Sequence, residues 1–177
     1  MSNAIQTDTI TPATLRFERL LDAPLEKVWQ YLVDPALRAR WFMGGPTELR
    51  VGGSIGMTMD HDRLSDREVP MPEKYQPYAG HSWSERITRY EPPHVLGFSW
   101  DNGEAGEVTF ELSESGAGKT RLVLTHTGLR GRDDALNFGG GWHSHLAVLE
   151  KRIQGEGVDD FWALHAQAQA KMEQALP

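Results

Sequence analysis

The sequence predicts an α+β fold in which a curved antiparallel sheet wraps around one long helix near the C-terminal end. Three observations predict it. Short runs with alternating apolar side chains, punctuated by glycine and proline turns, recur from residue 48 to residue 127, the pattern of an antiparallel meander with one buried face. Trp142, His145, Leu146, Leu149 and Ile153 then recur at helical spacing and share one face of a helix about four turns long. A chain of 177 residues, 39% hydrophobic and 24% charged, has the balance of one globular domain with a substantial core.

Taken in order, residues 1–12 carry no apolar period and are expected to form a flexible tail ahead of a single domain over 13–177. Ala13 to Leu21 alternates as a first strand. Asp22-Ala23-Pro24 follows as a strand-to-helix junction, in which Asp22 can cap and Pro24 fits a first turn whose N–H groups are free anyway. Leu25, Val28, Trp29 and Leu32 give a small helix, and Asp34-Pro35 starts a second, with Leu37 and Trp41 on its buried side. Two small helices therefore separate the first strand from the rest.

Glu48 to Val51 reads as a short strand, Gly52-Gly53 as a tight turn and Ser54 to His61 as the returning strand. By the period-two rule Ile55, Met57, Met59 and His61 share one face of it. Residues 62–80 hold Pro70, Pro72 and Pro77 without a clear period and read as a long loop, a candidate lid. Strands follow at His81 to Tyr90, Val95 to Trp100, Gly106 to Ser113 and Thr120 to Thr127. Gly139-Gly140-Gly141 reads as a flexible entry to the long helix. Asp159 to Leu176 reads as an extra C-terminal helix, whose Phe161-Trp162 pair is costly to expose and needs cover from the body or from a second copy in a homodimer.

Composition excludes several function classes. A formal net charge of −7 disfavours sequence-independent nucleic-acid binding, which needs clustered cations, and docking on anionic lipid. There is no apolar run approaching the roughly 18 residues of a membrane span, and Met1 to Thr11 lacks the apolar core of a secretory signal, so a cytoplasmic location is expected. The absence of cysteine removes disulfides, thiolate zinc sites and cysteine nucleophiles.

Six stretches fall in a telling order: Asp22 to Trp29, Asp34-Pro35 with Trp41, Val51-Gly52-Gly53, Arg89 to Leu96 followed by Trp100, Thr120 to His126, and Gly141-Trp142. Together with the element order they resemble the helix-grip fold of the START-like, SRPBCC superfamily, and within it the family named for the activator of heat-shock-protein-90 ATPase homologues. The likeness spans about residues 13–155. It implies a cavity between the concave sheet and the long helix. Relatives hold lipids, sterols or aromatic polyketides in such cavities, and a few catalyse cyclisation there. The eponymous eukaryotic member stimulates a chaperone's ATPase with an additional N-terminal domain, for which these residues offer no counterpart.

Strand phase selects the candidate ligand-contacting residues. Met57, Met59 and His61 share a face, as do His126 with Leu122 and Leu124, and Glu85 with Trp83. Trp41, Phe98 and Trp100 add aromatic wall, and Trp142, His145, Leu146 and Leu149 face the sheet from the helix. An apolar chamber with a few polar groups suits a small molecule, area giving affinity and polar groups orientation. The same stripes also read as plain core, and His126 as a hydrogen-bonded structural histidine. His61, His126 and His145 could supply three imidazoles to zinc, but their spacing does not demand a metal, and no cofactor motif is present. Ser144 lies in no G-x-S-x-G elbow. Acid–base work by His61 or Glu85 would require burial to bring either group toward neutrality. Three functions stand in rank order: binding of a hydrophobic or aromatic small molecule, a polyketide-cyclase-like reaction in the same cavity, and a protein-interaction role with a protein partner.

Overall fold

A computed structural model describes residues 8–177. The alternating runs form one antiparallel sheet of seven strands: β1 (Thr9–Ile10), β2 (Thr14–Leu21), β3 (Ser54–Thr58), β4 (Ser82–Glu91), β5 (Val95–Ser99), β6 (Glu107–Glu114) and β7 (Thr120–Thr127). Their spatial order is β1-β2-β7-β6-β5-β4-β3. Helices α1 (Leu25–Val33) and α2 (Pro35–Arg38) link β2 to β3, which lies at the far edge of the sheet. The long α3 (Arg132–Ile153) packs on the sheet, and α4 (Phe161–Ala175) packs on α3. This is the expected α+β helix-grip architecture. Among the described residues no helix is long and apolar enough to cross a membrane.

Register explains the core. Phe17 pairs with Leu124, Leu124 with Phe110, and Phe110 with Leu96, so one apolar row crosses β2, β7, β6 and β5 on the concave face. Leu146 and Leu149 of α3 and Trp41 beyond α2 are buried against this face. Trp41 anchors that segment by donating its indole N–H to the Tyr31 carbonyl at 2.8 Å.

Several boundaries differ from the sequence expectation. Of the tail expected over 1–12, residues 1–7 lie outside the described residues, while Thr9 and Ile10 pair with Arg16 and Leu15. Residues 48–51 form no strand; the chain before β3 meets it through the isolated bridges Gly44 to Thr58 and Thr47 to Ile55 and through the Glu48 N–H, which donates to the Ser54 carbonyl at 2.8 Å. Pro46 has no N–H to give a ladder, and the Arg38 guanidinium occupies the Gly45 and Gly56 carbonyls. β3 stops at Thr58, and His61 opens a 3-10 turn, His61–Leu64, that carries Leu64 into the core. His61 is thus buried, but not by strand alternation.

The glycine triplet is no entry to the helix. α3 begins at Arg132, and Gly139 and Gly140 lie inside it where α4 crosses. A Cβ on Gly139 would stand 2.7 Å from Met172 Sδ, and one on Gly140 would stand 1.7 Å from Gln169 Oε1. These glycines let two helices approach closely, at the cost of about 1 kcal/mol each in helix propensity. The Phe161-Trp162 pair is covered by the chain's own body, both side chains being buried.

Candidate functional site

Where α3, α4 and the ends of β3, β4 and β5 meet, they leave a partly open cavity of about 190 Å³. Phe42 and Met43 enter it from the segment after α2, Met59 and His61 from beyond β3, Trp83 from β4 and Trp100 from beyond β5. α3 contributes Asn137, Phe138, Gly141, Trp142 and His145, one stripe at helical spacing. Trp162 and His165 of α4 and Tyr75 of the 62–80 segment line the remaining side. The lining holds no Asp, Glu, Lys or Arg among the described residues.

The rings brace one another. Phe42 sits 4.9 Å from Trp142 and meets His145 edge-on at 5.0 Å between centroids. Trp100 contacts Trp142 at 5.6 Å, and Tyr75 stacks on Trp162 at 5.1 Å with planes 14° apart. Arg38 holds the Phe42-Met43 corner from behind. Its guanidinium donates to the carbonyls of Met43, at 2.8 Å, and Leu32, at 3.0 Å, and to Thr47 Oγ1 at 2.9 Å. Burial lowers its pKa to about 10.

The 62–80 segment is fastened at its start. Asp66 accepts from Arg152 Nη1 at 2.9 Å and from the Val158 N–H at 2.7 Å, while Ser65 Oγ accepts from the Phe161 N–H at 2.8 Å. The Arg152 hydrogen bond holds the Asp66 carboxyl below its usual range. Further along, Tyr75 reaches the cavity, stacking on Trp162 and meeting His165 edge-on.

Three imidazoles border the cavity in different states of satisfaction. His145 Nδ1 lies 2.8 Å from the Trp41 carbonyl, which can only accept, so this nitrogen carries the proton. His61 meets His145 edge-on at 4.9 Å, and its Nδ1 is buried with no hydrogen-bond partner among the described residues. Burial, with His165 nearby, lowers the His61 pKa to about 4, and burial holds His145 well below its ordinary value. His165 is lowered by burial and by Lys74. All three rings are therefore neutral near pH 7.

Of the thirteen residues selected from sequence, Met59, His61, Trp83, Trp100, Trp142 and His145 border the cavity. Trp41, Met57, Phe98, Leu146 and Leu149 are buried in the core behind the wall. His126 is structural: Nε2 donates to the Ala105 carbonyl at 2.8 Å and Nδ1 accepts from Trp142 Nε1 at 3.0 Å, so both nitrogens are spent. Glu85 is internal but consumed, accepting from Trp83 Nε1, Ser99 Oγ and the N–H groups of Asp101 and Asn102 at 2.9–3.0 Å. It shapes the turn after β5 and holds Trp83, which leaves it no free lone pair for acid–base work. Burial has moved His61 below neutrality rather than toward it. No three His, Cys, Asp or Glu side chains among the described residues gather as a metal-ligand set. Sequence reasoning missed Phe42, Met43, Tyr75, Asn137, Phe138, Gly141, Trp162 and His165. Asn137, Phe138 and Gly141 were legible as the stripe one and two turns ahead of His145, once the helix was extended through the glycines.

Comparisons place this geometry among known proteins. Residues 22–154 match the family model described as activator of Hsp90 ATPase homolog 1-like protein. The solution structure of the protein encoded by gene BPP1335 of Bordetella parapertussis is 38% identical, with a TM-score of 0.78 over 96% of this chain and 94% of that one. CalU16 from Micromonospora echinospora is 22% identical, with a TM-score of 0.70 over 96% and 97%. DynU16, from the dynemicin biosynthetic locus, is 19% identical with a TM-score of 0.63; the match covers 84% of this chain and 50% of DynU16. No curated protein matches the chain.

Proposed function

We propose, for a chain that belongs to the activator of Hsp90 ATPase homolog 1-like family, that it binds an aromatic or otherwise hydrophobic small molecule between the sheet and helices α3 and α4. The observation that carries this reading is the cavity wall, built of aromatic rings, two methionines and neutral imidazoles, with no charged side chain among the described residues. Apolar walls supply affinity through buried area, and the few polar atoms supply orientation. Methionine at Met43 and Met59 lets the wall repack around an occupant.

A second reading has one observation in its favour. His61 and His145 form a polar pair at the cavity, their ring centroids 4.9 Å apart, and such a pair favours a cyclase-like reading. Their lowered pKa values make them weak bases, so the pair suits hydrogen bonding better than proton abstraction. A role as a docking module for another protein draws no support from a cavity of this kind.

Native mass spectrometry of the purified full chain, followed by solvent extraction, tests the binding reading. A discrete co-purifying organic mass is expected, lost when Trp142 is replaced by a smaller side chain. A bare chain mass, together with no response to aromatic probes, would sink it.

A further inference from the structure

Resting on the binding reading above, we infer that the occupant is an uncharged aromatic molecule of one or two rings whose hydroxyl donates a hydrogen bond to His145, with His61 beside it. Three independent observations converge on this class. Size is the first. An apolar cavity of roughly 150 Å³ holds a benzene, so the 190 Å³ here takes a substituted ring or a fused pair.

Charge is the second. With no Lys or Arg on the wall among the described residues, a carboxylate or phosphate would be stripped of water without a partner, which costs more than the walls return.

The third is polarity of a fixed sense. His145 Nδ1 is committed as a donor to the Trp41 carbonyl. In the neutral ring Nε2 is therefore a lone-pair acceptor, and it has no hydrogen-bond partner among the described residues. His61, also on the wall and 8% exposed, has its buried Nδ1 unpartnered among the described residues. Polar atoms away from bulk water are almost always satisfied, so the uncommitted Nε2 of His145, a residue of the cavity wall, marks a place where a ligand group or water completes the set. A ligand bringing only acceptors would leave the His145 nitrogen unmet; a hydroxyl on an aromatic ring meets it and keeps the ring against Trp142 and Phe42.

The test uses the full chain and five probes: 2-naphthol, 2-methoxynaphthalene, naphthalene, 2-naphthoate and benzyltrimethylammonium. Binding is followed by tryptophan indole signals in proton–nitrogen NMR. 2-Naphthol is expected to bind about five- to ten-fold tighter than 2-methoxynaphthalene or naphthalene, the worth of one net hydrogen bond. The gap should close in His145→Asn, whose amide can still donate to the Trp41 carbonyl, and narrow in His61→Phe, with naphthalene affinity retained in both. Equal affinity for 2-naphthol and its methyl ether would overturn the donor assignment and leave the aromatic cavity standing. A gap that persists in His145→Asn would overturn the role of that ring. Tighter binding of 2-naphthoate or of the ammonium probe would overturn the uncharged class. If no probe binds, the binding reading itself fails.

Discussion

The Trp142 indole N–H donates to Nδ1 of His126 at 3.0 Å, and His126 passes the chain on by donating from Nε2 to the Ala105 carbonyl. A helix residue at the cavity is thereby tied through a strand residue to the loop before β6. Trp142→Ala removes both ring and donor and is expected to destabilise the fold by about 3–5 kcal/mol. Trp142→Phe keeps most of the ring but orphans a buried nitrogen, at a cost of about 1–3 kcal/mol. Urea unfolding measures both. Near-neutral values for Trp142→Ala would remove the residue from the core.

Arg38 is a buried cation whose hydrogen bonds go to backbone carbonyls and a threonine rather than to a carboxylate. Arg38→Ala leaves those buried neutral acceptors unpaired and is expected to cost at least about 1–3 kcal/mol, the desolvation penalty of an unsatisfied buried group. Because the same guanidinium holds the Met43 carbonyl, probe binding at the Phe42-Met43 corner should weaken along with stability. Thermal melts together with the probe titrations read both effects.

Neighbouring glycines of α3 should respond in opposite ways. A methyl on Gly141 meets nothing within 4 Å, so Gly141→Ala is expected to stabilise by about 0.5–1 kcal/mol through helix propensity. That methyl also intrudes on the cavity and should weaken binding of two-ring probes more than that of one-ring probes. A Cβ at Gly139 meets Met172 Sδ at 2.7 Å, so Gly139→Ala should show no such gain and Gly139→Val should lose about 1–3 kcal/mol by overpacking. Equal stabilisation at both positions would contradict the close crossing of α3 and α4.

Stability should fall in mild acid. His61 is held to about 4 against an ordinary 6.5, and His145 and His126 are also lowered by burial. Between those values the unfolded chain binds more protons than the folded one, so stability is fully present above about pH 6.5 and declines as pH drops toward 4. His61 alone accounts for roughly 3 kcal/mol of that decline. His61→Phe removes its share, so the melting temperature of this variant should depend less steeply on pH between 6.5 and 4. An unchanged slope would mean that His61 titrates normally.

The candidate site was legible in part. Trp83, Trp100, Trp142 and His145 follow from strand phase and helical spacing, because a fixed period puts fixed positions on one face. Trp162, His165 and Tyr75 could not follow from it, because they belong to segments whose docking depends on long-range contacts: Asp66 with Arg152 and Val158, and Tyr75 with Trp162. Periodicity also cannot say whether an inward polar group is free or spent. Glu85 and His126 both face inward, yet partners distant in sequence have taken their lone pairs and protons.

The sequence by itself determined the α+β class, the meander and the helix that fills it, since each rests on local alternation, helical spacing and turn chemistry, and the resemblance of six stretches in order pointed to the family. Only the tertiary structure decided that the glycine triplet is a helix crossing, that Arg38 holds the cavity corner, and that His61, His145 and His165 are left neutral beside the cavity. Those outcomes depend on which atoms meet across the fold and which are removed from water, and neither is a property of any single stretch of chain.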